Sequence, residues 1–197
     1  MEGNNRGQRE LEEKVLKQDL CTGCGACVGI CPYQAAYQDK TVILFLCDIK
    51  NGRCYAFCPR MPGDAAVLRE KLFSKVDLTP EIGAVKAFYI ARAKDEAMRA
   101  EVQHGGTVTA LVTLALTEGL IDTAVVAEAG GNFLPHGVTV TESAAVRRQA
   151  KSKFVVSPTL AEFNRVAAGQ AAGIGVVATP CQALALAKMR IQAGSGK

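Results

Sequence analysis

From about residue 83 to the end, this chain alternates between two kinds of apolar pattern. Short runs rich in β-branched residues, AVKAFYIARA, TAVVAEA, GVTVT and IGVVAT, each predict a strand. Longer runs with apolar residues at helical spacing, among them TVTALVTLALTEG, PTLAEFNRVAAG and QALALAKMR, predict helices. Strands that alternate with helices are typical of an α/β layered domain, so the pattern predicts one over residues 83–197.

The first third of the chain is patterned differently. Residues 8–18 are mostly charged and predict a helix within an N-terminal arm of residues 1–19. Two apolar runs, YQAAYQ and TVILFL, flank a short Asp-Lys turn and predict a β-hairpin. Pro62, Gly63 and Asp64 then interrupt the pattern, and a linker with the helix AAVLREKLF is expected over residues 63–82.

Four cysteines in residues 21–32, CTGCGACVGICP, are the strongest chemical signal of the chain. Their C-x2-C-x2-C-x3-C-P spacing is that of the bacterial ferredoxin run, which wraps thiolates around an iron-sulfur cluster. Gly23 and Gly25 let the backbone coil closely, and Pro32 turns the chain away. A zinc knuckle would use two separated pairs, and so this run predicts a 4Fe-4S cluster in an α+β ferredoxin-like domain over residues 20–62.

A second run, CDIKNGRCYAFCP at residues 47–59, repeats the C-x3-C-P ending but is less regular. In two-cluster ferredoxins the last cysteine of each run binds the other cluster. The expected ligands of the first cluster are therefore Cys21, Cys24, Cys27 and Cys58. Those of the second are Cys31, Cys47 and Cys54.

Asn51 stands where the fourth thiolate of the second cluster belongs. Three outcomes stay open on the residues alone. The site holds a 3Fe-4S cluster, or a 4Fe-4S cluster whose fourth ligand is water or an oxygen such as that of Asp48, or no second cluster.

Composition removes several classes of protein from consideration. With 197 residues, 49% of them hydrophobic and 21% charged, the chain is typical of a folded protein. It has no apolar run of the roughly 18 residues that a membrane span needs, and its polar N-terminus is not a signal peptide. We therefore expect a cytoplasmic protein with reduced cysteines and no membrane span. A net charge of +4 with no tryptophan does not indicate a nucleic-acid surface.

Two glycines, Gly105 and Gly106, lead directly into the predicted helix that starts at Thr107. A helix N-terminus presents free N–H groups and a partial positive charge, and glycines allow close approach of a phosphate or a flat ring. The same pair of glycines is also common as a simple turn.

The sequence VVATPCQ marks a second junction, where a strand ends and a helix begins. Ligands of α/β folds bind at the carboxyl ends of strands. Cys181 would lie at the helix N-terminus, where the pKa of a thiol tends to fall. The alternative is a small buried cysteine that only packs in the turn.

Taken in order, the cysteine runs and the later segments closely resemble the family of coenzyme F420 hydrogenase and dehydrogenase beta subunits. Those segments are RAKDEAMRAEVQHGGTVTALVTLALTEGLIDTAVV, PHGVTVTES, AKSKFVVSPTL and GVVATPCQALALAK. The resemblance implies a flavoprotein whose α/β domain holds FAD, receives single electrons from iron-sulfur clusters and exchanges a hydride with coenzyme F420. The implied flavin neighbourhood comprises Gly105, Gly106, Thr107, Ser152, Lys153, Thr179, Pro180, Cys181 and Gln182.

The resemblance also implies partners, namely the other subunits of a hydrogenase, a formate dehydrogenase or a similar redox complex. Family members continue past the helix that follows TPCQ, so the α/β domain is expected to be shortened at its C-terminus. Two functions follow. The chain is an iron-sulfur flavoprotein oxidoreductase, or it is an electron-wiring subunit that carries clusters only and uses the α/β part as a docking scaffold. The persistence of the glycine pair and of TPCQ favours the first.

Overall fold

The computed structural model describes residues 6–73, 78–79, 81–130, 134–169 and 171–193. Parts of the predicted segments lie outside these residues: 1–5 of the arm, 74–77 and 80 of the linker, and 131–133, 170 and 194–197 of the C-terminal part. None of the helices in the described ranges combines the length and the apolar composition that crossing a membrane requires.

The cysteine-rich part is a small α+β unit. Its elements are α1 (Gln8–Leu11), a π-helical turn (Glu12–Leu16), β1 (Gln34–Tyr37), β2 (Lys40–Ile43), α2 (Arg53–Phe57) and α3 (Ala65–Leu72). The strands β1 and β2 form the predicted antiparallel hairpin, with Tyr37 opposite Lys40. Asp64 caps α3 by accepting hydrogen bonds from two backbone N–H groups of its first turn.

The N-terminal helix belongs to the core of this unit. Leu11 and Val15, four residues apart on one face, are 1% and 2% exposed. They pack against the buried side chains of Cys27, Cys54 and Met61. The arm that precedes the first cysteine run thus packs against the cysteines and is part of the core of this unit.

The remaining elements form the α/β part. They are β3 (Leu78–Thr79), β4 (Gly83–Ala84), α4 (Glu96–Glu101), α5 (Thr107–Thr117), β5 (Thr123–Glu128), β6 (His136–Val140), α6 (Ser143–Arg148), α7 (Thr159–Ala167), β7 (Ile174–Val176) and α8 (Pro180–Ala193). The main sheet has the order β6-β5-β7, with β5 antiparallel to β6 and parallel to β7. The middle of β5 is buried, as its apolar TAVVAE sequence requires.

One predicted strand, AVKAFYIARA, is absent among the described residues. Only Gly83–Ala84 pair there, with β3, and residues 85–94 have no regular structure. Phe88, Tyr89 and Ile90 are 80%, 87% and 107% exposed. The prediction was wrong because a β-branched run becomes a strand only where a neighbouring strand supplies backbone partners.

Helices α7 and α8 join the two parts of the chain. The Asn164 side-chain amide on α7 donates hydrogen bonds to the backbone carbonyls of Ala26 (3.1 Å) and Val28 (2.7 Å) in the first cysteine loop. The Leu160 N–H donates to the Cys24 carbonyl over 3.1 Å. These bonds tie the first cysteine loop to a helix more than 130 positions later in the chain.

The second tie comes from a buried lysine of α8. Lys188, 7% exposed, donates from Nζ to the backbone carbonyls of Cys58 (2.7 Å) and Met61 (2.6 Å). Burial lowers the pKa of Lys188, and the Cys58 thiol opposes this effect. The boundaries proposed for the two domains, residues 20–62 and 83–197, therefore stay a prediction. In the structure the two parts pack against each other.

We expect Asn164→Ala to destabilise the protein by about 1–3 kcal/mol, because it leaves two buried carbonyls without their donor. Urea unfolding followed by circular dichroism under anaerobic conditions measures the effect. The control is Arg165→Ala on the same helix, an exposed residue paired with Glu162, which should change stability by no more than about 0.5 kcal/mol. Equal unfolding midpoints for the two variants would refute the role of Asn164.

Candidate iron-sulfur and cofactor sites

Four thiols line one small cavity in the cysteine-rich part. They are those of Cys21, Cys24, Cys27 and Cys58. Three of these residues are buried, and Cys21 is half-buried. The cavity thus unites three cysteines of the first run with the last cysteine of the second, and Leu11 and Val15 of the N-terminal helix complete its apolar wall.

Hydrogen-bond donors point at these sulfurs. The backbone N–H groups of Gly23 and Thr41 each lie 3.5 Å from the Cys21 Sγ. The Thr41 hydroxyl lies 3.3 Å from the Cys27 Sγ. Such donors stabilise the negative charge that thiolates and sulfide carry in a cluster.

Burial dominates the acidity of the inner thiols. It raises the pKa of Cys24 to about 11 and that of Cys27 to about 12, and hydrogen bonds to the sulfurs only partly offset it. Neighbouring thiols add to both rises. Both groups are therefore protonated at neutral pH, and binding of iron must release their protons.

The chemistry of this donor set fits an iron-sulfur cluster. Four sulfur donors face one cavity, and the buried Thr22 hydroxyl beside Cys24 has no hydrogen-bond partner among the described residues. No three His, Cys, Asp or Glu side chains in that part of the chain converge as they would on a single metal ion. A cubane instead separates its ligands, since each thiolate binds a different iron.

The glycines of the first run have a further reason to be there. A Cβ atom at Gly25 would lie 2.6 Å from the Pro158 carbonyl oxygen and 2.7 Å from the Ala161 nitrogen. A Cβ atom at Gly23 would collide with Val156 and with the backbone of Asp39. Both glycines have positive φ, so the loop can coil and also pack directly against the start of α7.

Three thiols form a second group, around Cys54 on α2. Burial raises the pKa of Cys54, the Tyr55 backbone and the nearby Gln34 amide oppose this, and the nearby Cys31 and Cys47 thiols add to the rise. Cys47 is held by the buried Gln8, whose Oε1 accepts from the Cys47 N–H over 2.8 Å. Cys31 and Cys47 thus lie close enough to Cys54 to influence its pKa.

The expected oxygen donor of the second run, Asp48, and the residue that replaces the missing cysteine, Asn51, lie towards solvent. Asp48 and Asn51 are both exposed. Asn51 adopts a left-handed backbone with φ +58 and lines a separate cavity of about 390 Å³ together with Tyr55 and Lys188.

A cleft of about 990 Å³ lies in the α/β part. Its walls are the start of α5, the loop between α6 and α7, and the junction from β7 to α8. Seven residues of the implied flavin neighbourhood line it: Gly106, Thr107, Ser152, Lys153, Thr179, Cys181 and Gln182. The other two, Gly105 and Pro180, are not part of its lining.

Two glutamines hold the cleft in shape. Gln182, 4% exposed, accepts a hydrogen bond from the Thr179 N–H and donates one to the Ser157 carbonyl, both at 2.9 Å. Gln103 accepts from the Ser152 N–H over 2.8 Å. Sequence reasoning missed Gln103, whose only signal is its place just before the glycine pair.

The two glycines are required for packing within the fold rather than for access to the cleft. Gly105 and Gly106 have φ of +80 and +73. A Cβ atom at Gly106 would lie 2.6 Å from a methyl of Val102, and one at Gly105 would lie 3.1 Å from Arg92 Cβ. Close approach at these glycines is to other protein atoms, so substitution there would disturb the fold itself.

The Lys153 ammonium group is already hydrogen-bonded to backbone carbonyls close to it in the chain. Its Nζ donates to the carbonyls of Gln149 (2.9 Å), Ala150 (3.2 Å) and Lys151 (3.1 Å). Burial lowers its pKa, an effect that Glu128 opposes and Lys151 supports. In this arrangement the ammonium group neutralises the carbonyl end of α6, whereas the exposed Lys151 lines the cleft nearby.

The cleft and the first cysteine cavity share a wall. Thr22 lines both of them. Cys181 lines the cleft, packs against the apolar cluster that contains Cys24, and raises the pKa of that thiol. A group bound in the cleft would therefore be separated by Thr22 from the cavity that the four thiols line.

Comparison with known proteins gives this geometry a context. Residues 88–163 match the family model described as coenzyme F420 hydrogenase/dehydrogenase, beta subunit N-term. Over these residues the chain is similar to that family. A second model, the 4Fe-4S binding domain, matches residues 15–37 and confirms the predicted ferredoxin-like domain.

Curated proteins of the same kind are similar to the chain over longer stretches. A subunit of the F(420)H(2) dehydrogenase of Methanosarcina mazei is 28% identical over 183 residues, covering 90% of this chain and 50% of the relative. The beta subunit of the coenzyme F420 hydrogenase of Methanothermobacter thermautotrophicus is 34% identical over 111 residues, covering 54% of this chain and 39% of the relative. The chain thus spans half or less of the length of both.

The cysteine-rich part has a relative of its own. A ferredoxin of Pyrobaculum islandicum is 37% identical over 84 residues, which are 41% of this chain and 69% of that ferredoxin. The chain therefore combines a ferredoxin-type 4Fe-4S domain with an α/β part that is similar, over residues 88–163, to the beta-subunit family.

The prediction that the last cysteine of each run binds the cluster of the other run can be tested directly. We expect Cys58→Ser to remove the iron and the paramagnetic signal of the first cluster, although Cys58 belongs to the second run. Cys31→Ser should affect the second cluster alone. Iron analysis and electron paramagnetic resonance of anaerobically purified protein measure both, with Cys181→Ala as the control that keeps all iron. Loss of the second signal in Cys58→Ser would contradict the crossed assignment.

Proposed function

We propose that this chain is an iron-sulfur flavoprotein subunit that moves electrons between iron-sulfur clusters and a hydride carrier of the coenzyme F420 type. The observation that carries the proposal is the wall at Thr22, which the cysteine cavity and the α/β cleft have in common. A one-electron centre and an organic redox cofactor need such proximity to exchange electrons.

The proposed ligands follow the two groups of thiols. Cys21, Cys24, Cys27 and Cys58 hold a 4Fe-4S cluster. Cys31, Cys47 and Cys54 hold a second iron-sulfur cluster, of the 3Fe-4S or 4Fe-4S type, with three thiolates. The hydrogen bonds to Cys21 and the support of Cys47 by Gln8 favour these roles.

The proposed occupant of the cleft is FAD. The cleft volume of about 990 Å³ suits a large cofactor. The N-termini of α5 and α8 both open into it and offer N–H groups for a diphosphate, and Val108, Phe154 and Val177 provide apolar surface for a ring. When bound, a flavin supplies the conversion between single electrons and a hydride pair.

The chain's own residues would position this cofactor. Gln182 fixes the start of α8, Gln103 fixes the loop at Ser152, and Thr22 separates the cofactor from the thiols of the first cluster. Gly106, Thr107, Ser152, Lys153, Thr179 and Cys181 complete the contact surface that we propose for it.

The proposed setting is a multi-subunit complex in the cytoplasm, where the cysteines stay reduced. The relatives named above, which belong to a dehydrogenase and a hydrogenase, support a hydrogenase, formate dehydrogenase or similar redox complex as the assembly. The other subunits of that complex would deliver or receive the electrons that pass through the clusters.

Flavin binding is tested by filling the cleft from an exposed position. We expect Ala178→Trp, in the cleft lining, to abolish flavin retention without loss of iron. The matched control is Ala183→Trp, an exposed alanine of α8 outside the lining, which should keep both. Flavin released by acid and iron are quantified in each protein. Equal flavin content in both variants would place the cofactor elsewhere.

The reaction is tested in the protein assembled with its natural partners. We expect reversible hydride exchange with coenzyme F420, and slower or no exchange with a nicotinamide, followed by the absorbance of each carrier. Ala178→Trp should lose this activity while its clusters still titrate. If the unaltered assembly holds no flavin and still passes electrons from cluster to cluster, the chain is a wiring subunit whose α/β part only docks.

A further inference from the structure

A buried glutamine lies next to the second group of thiols without using its amide. Gln34, the first residue of β1, is 4% exposed. Neither its Oε1 nor its Nε2 has a hydrogen-bond partner among the residues that the structure describes. Within the described ranges it is the only buried amide side chain with both polar atoms unpaired. An unpaired buried polar group costs about 1–3 kcal/mol, so such a residue calls for an explanation.

The position of Gln34 supplies one. Its amide lies near the Cys54 thiol, closely enough to lower the pKa of that group, yet without a completed hydrogen bond. The Cys31 and Cys47 thiols lie beside the same Cys54. The unpaired amide therefore lies near the thiols of the second group.

The neighbouring side-chain amide, that of Gln8, is already hydrogen-bonded at both ends. The buried Gln8 donates from Nε2 to the Phe45 carbonyl over 3.0 Å and accepts from the Cys47 N–H over 2.8 Å. Gln8 thereby shapes the loop that carries Cys47, and both ends of its amide are engaged. Gln34 has both of its N–H bonds available.

We propose that the Gln34 amide is a built-in hydrogen-bond donor of the second cluster, with Nε2–H donating to a cluster sulfur when iron is bound by Cys31, Cys47 and Cys54. The inference rests on the proposed function, since it requires that second cluster. It explains why an amide is buried there with no partner in the described part of the chain.

Chemistry favours donation over ligation. A neutral amide oxygen is a weak ligand for iron beside thiolates and sulfide, which are the donors that iron-sulfur clusters select. The amide nitrogen is a good donor, and sulfur with negative charge is its natural acceptor. Hydrogen bonds to cluster sulfurs stabilise the reduced state, so Gln34 acts as a positioning residue that raises the reduction potential of the second cluster.

The test replaces the donor and measures the cluster itself. In Gln34→Leu, we expect unchanged iron content, a more negative midpoint potential for the second paramagnetic signal, and no change for the first. Gln34→Glu should shift the second potential further in the same direction, because a carboxylate adds negative charge. The control is Gln18→Leu, at an exposed glutamine whose amide donates to the Glu13 carbonyl, which should shift neither potential.

A second measurement needs no variant and so does not depend on folding. In protein labelled with 15N in its glutamine side chains, the second cluster should show a nitrogen hyperfine coupling and an exchangeable proton coupling. Absence of both couplings, or an unchanged potential in iron-replete Gln34→Leu, overturns the role of Gln34 and leaves the proposed function intact. Protein that carries only the first cluster when supplied with excess iron overturns the inference together with the second cluster, while flavin binding and the first cluster still test the rest of the function.

Discussion

The hydrogen bonds from the Asn164 amide to the carbonyls of the first cysteine loop are the contact on which the rest of this structure depends. The loop coils with positive φ at its glycines, which leaves backbone carbonyls without partners in regular structure. The Asn164 amide on α7 satisfies those of Ala26 and Val28, and the N–H of Leu160 satisfies that of Cys24. The geometry of the thiols is thus set by a helix of the α/β part.

This dependence has a consequence for how the two sites relate. The cysteine loop and the cleft are built against the same helix start, since Thr159 lines the cleft and Leu160 bonds to Cys24. A displacement of α7 would move one wall of each site at once. The proposed electron exchange between the sites would require a fixed separation, and a shared helix provides one.

Much of the local structure could be predicted from sequence. The hairpin, the strands around residues 123–128, 136–140 and 174–176, and the helices from α5 to α8 follow the apolar periodicity of their segments. The run AVKAFYIARA failed, because strand formation depends on a neighbour that periodicity does not reveal. The assignment of Cys31, Cys47 and Cys54 to one cluster, which rests on the spacing rules of ferredoxins, stays a prediction.

The long-range polar contacts could not be predicted in the same way. Gln8, Gln34 and Asn164 are ordinary polar residues in the sequence, and their burial depends on which distant segment folds against them. Lys188 did leave a signal, since it follows Ala185 by three residues and precedes Met189 on the buried stripe of α8, where a lysine is unexpected unless its ammonium finds acceptors.

Helix α8 also sets a distance within the structure. Its first turn, at Cys181, borders the cleft, and its Lys188 reaches the backbone beside Cys58. Seven residues of α-helix separate these positions by about 10 Å along the axis. Because a helix of this kind resists both stretching and compression, α8 acts as a spacer of fixed length between the cleft and the last thiol of the first cavity. Loops on the surface can then move without altering the distance that the proposed electron transfer would have to cross.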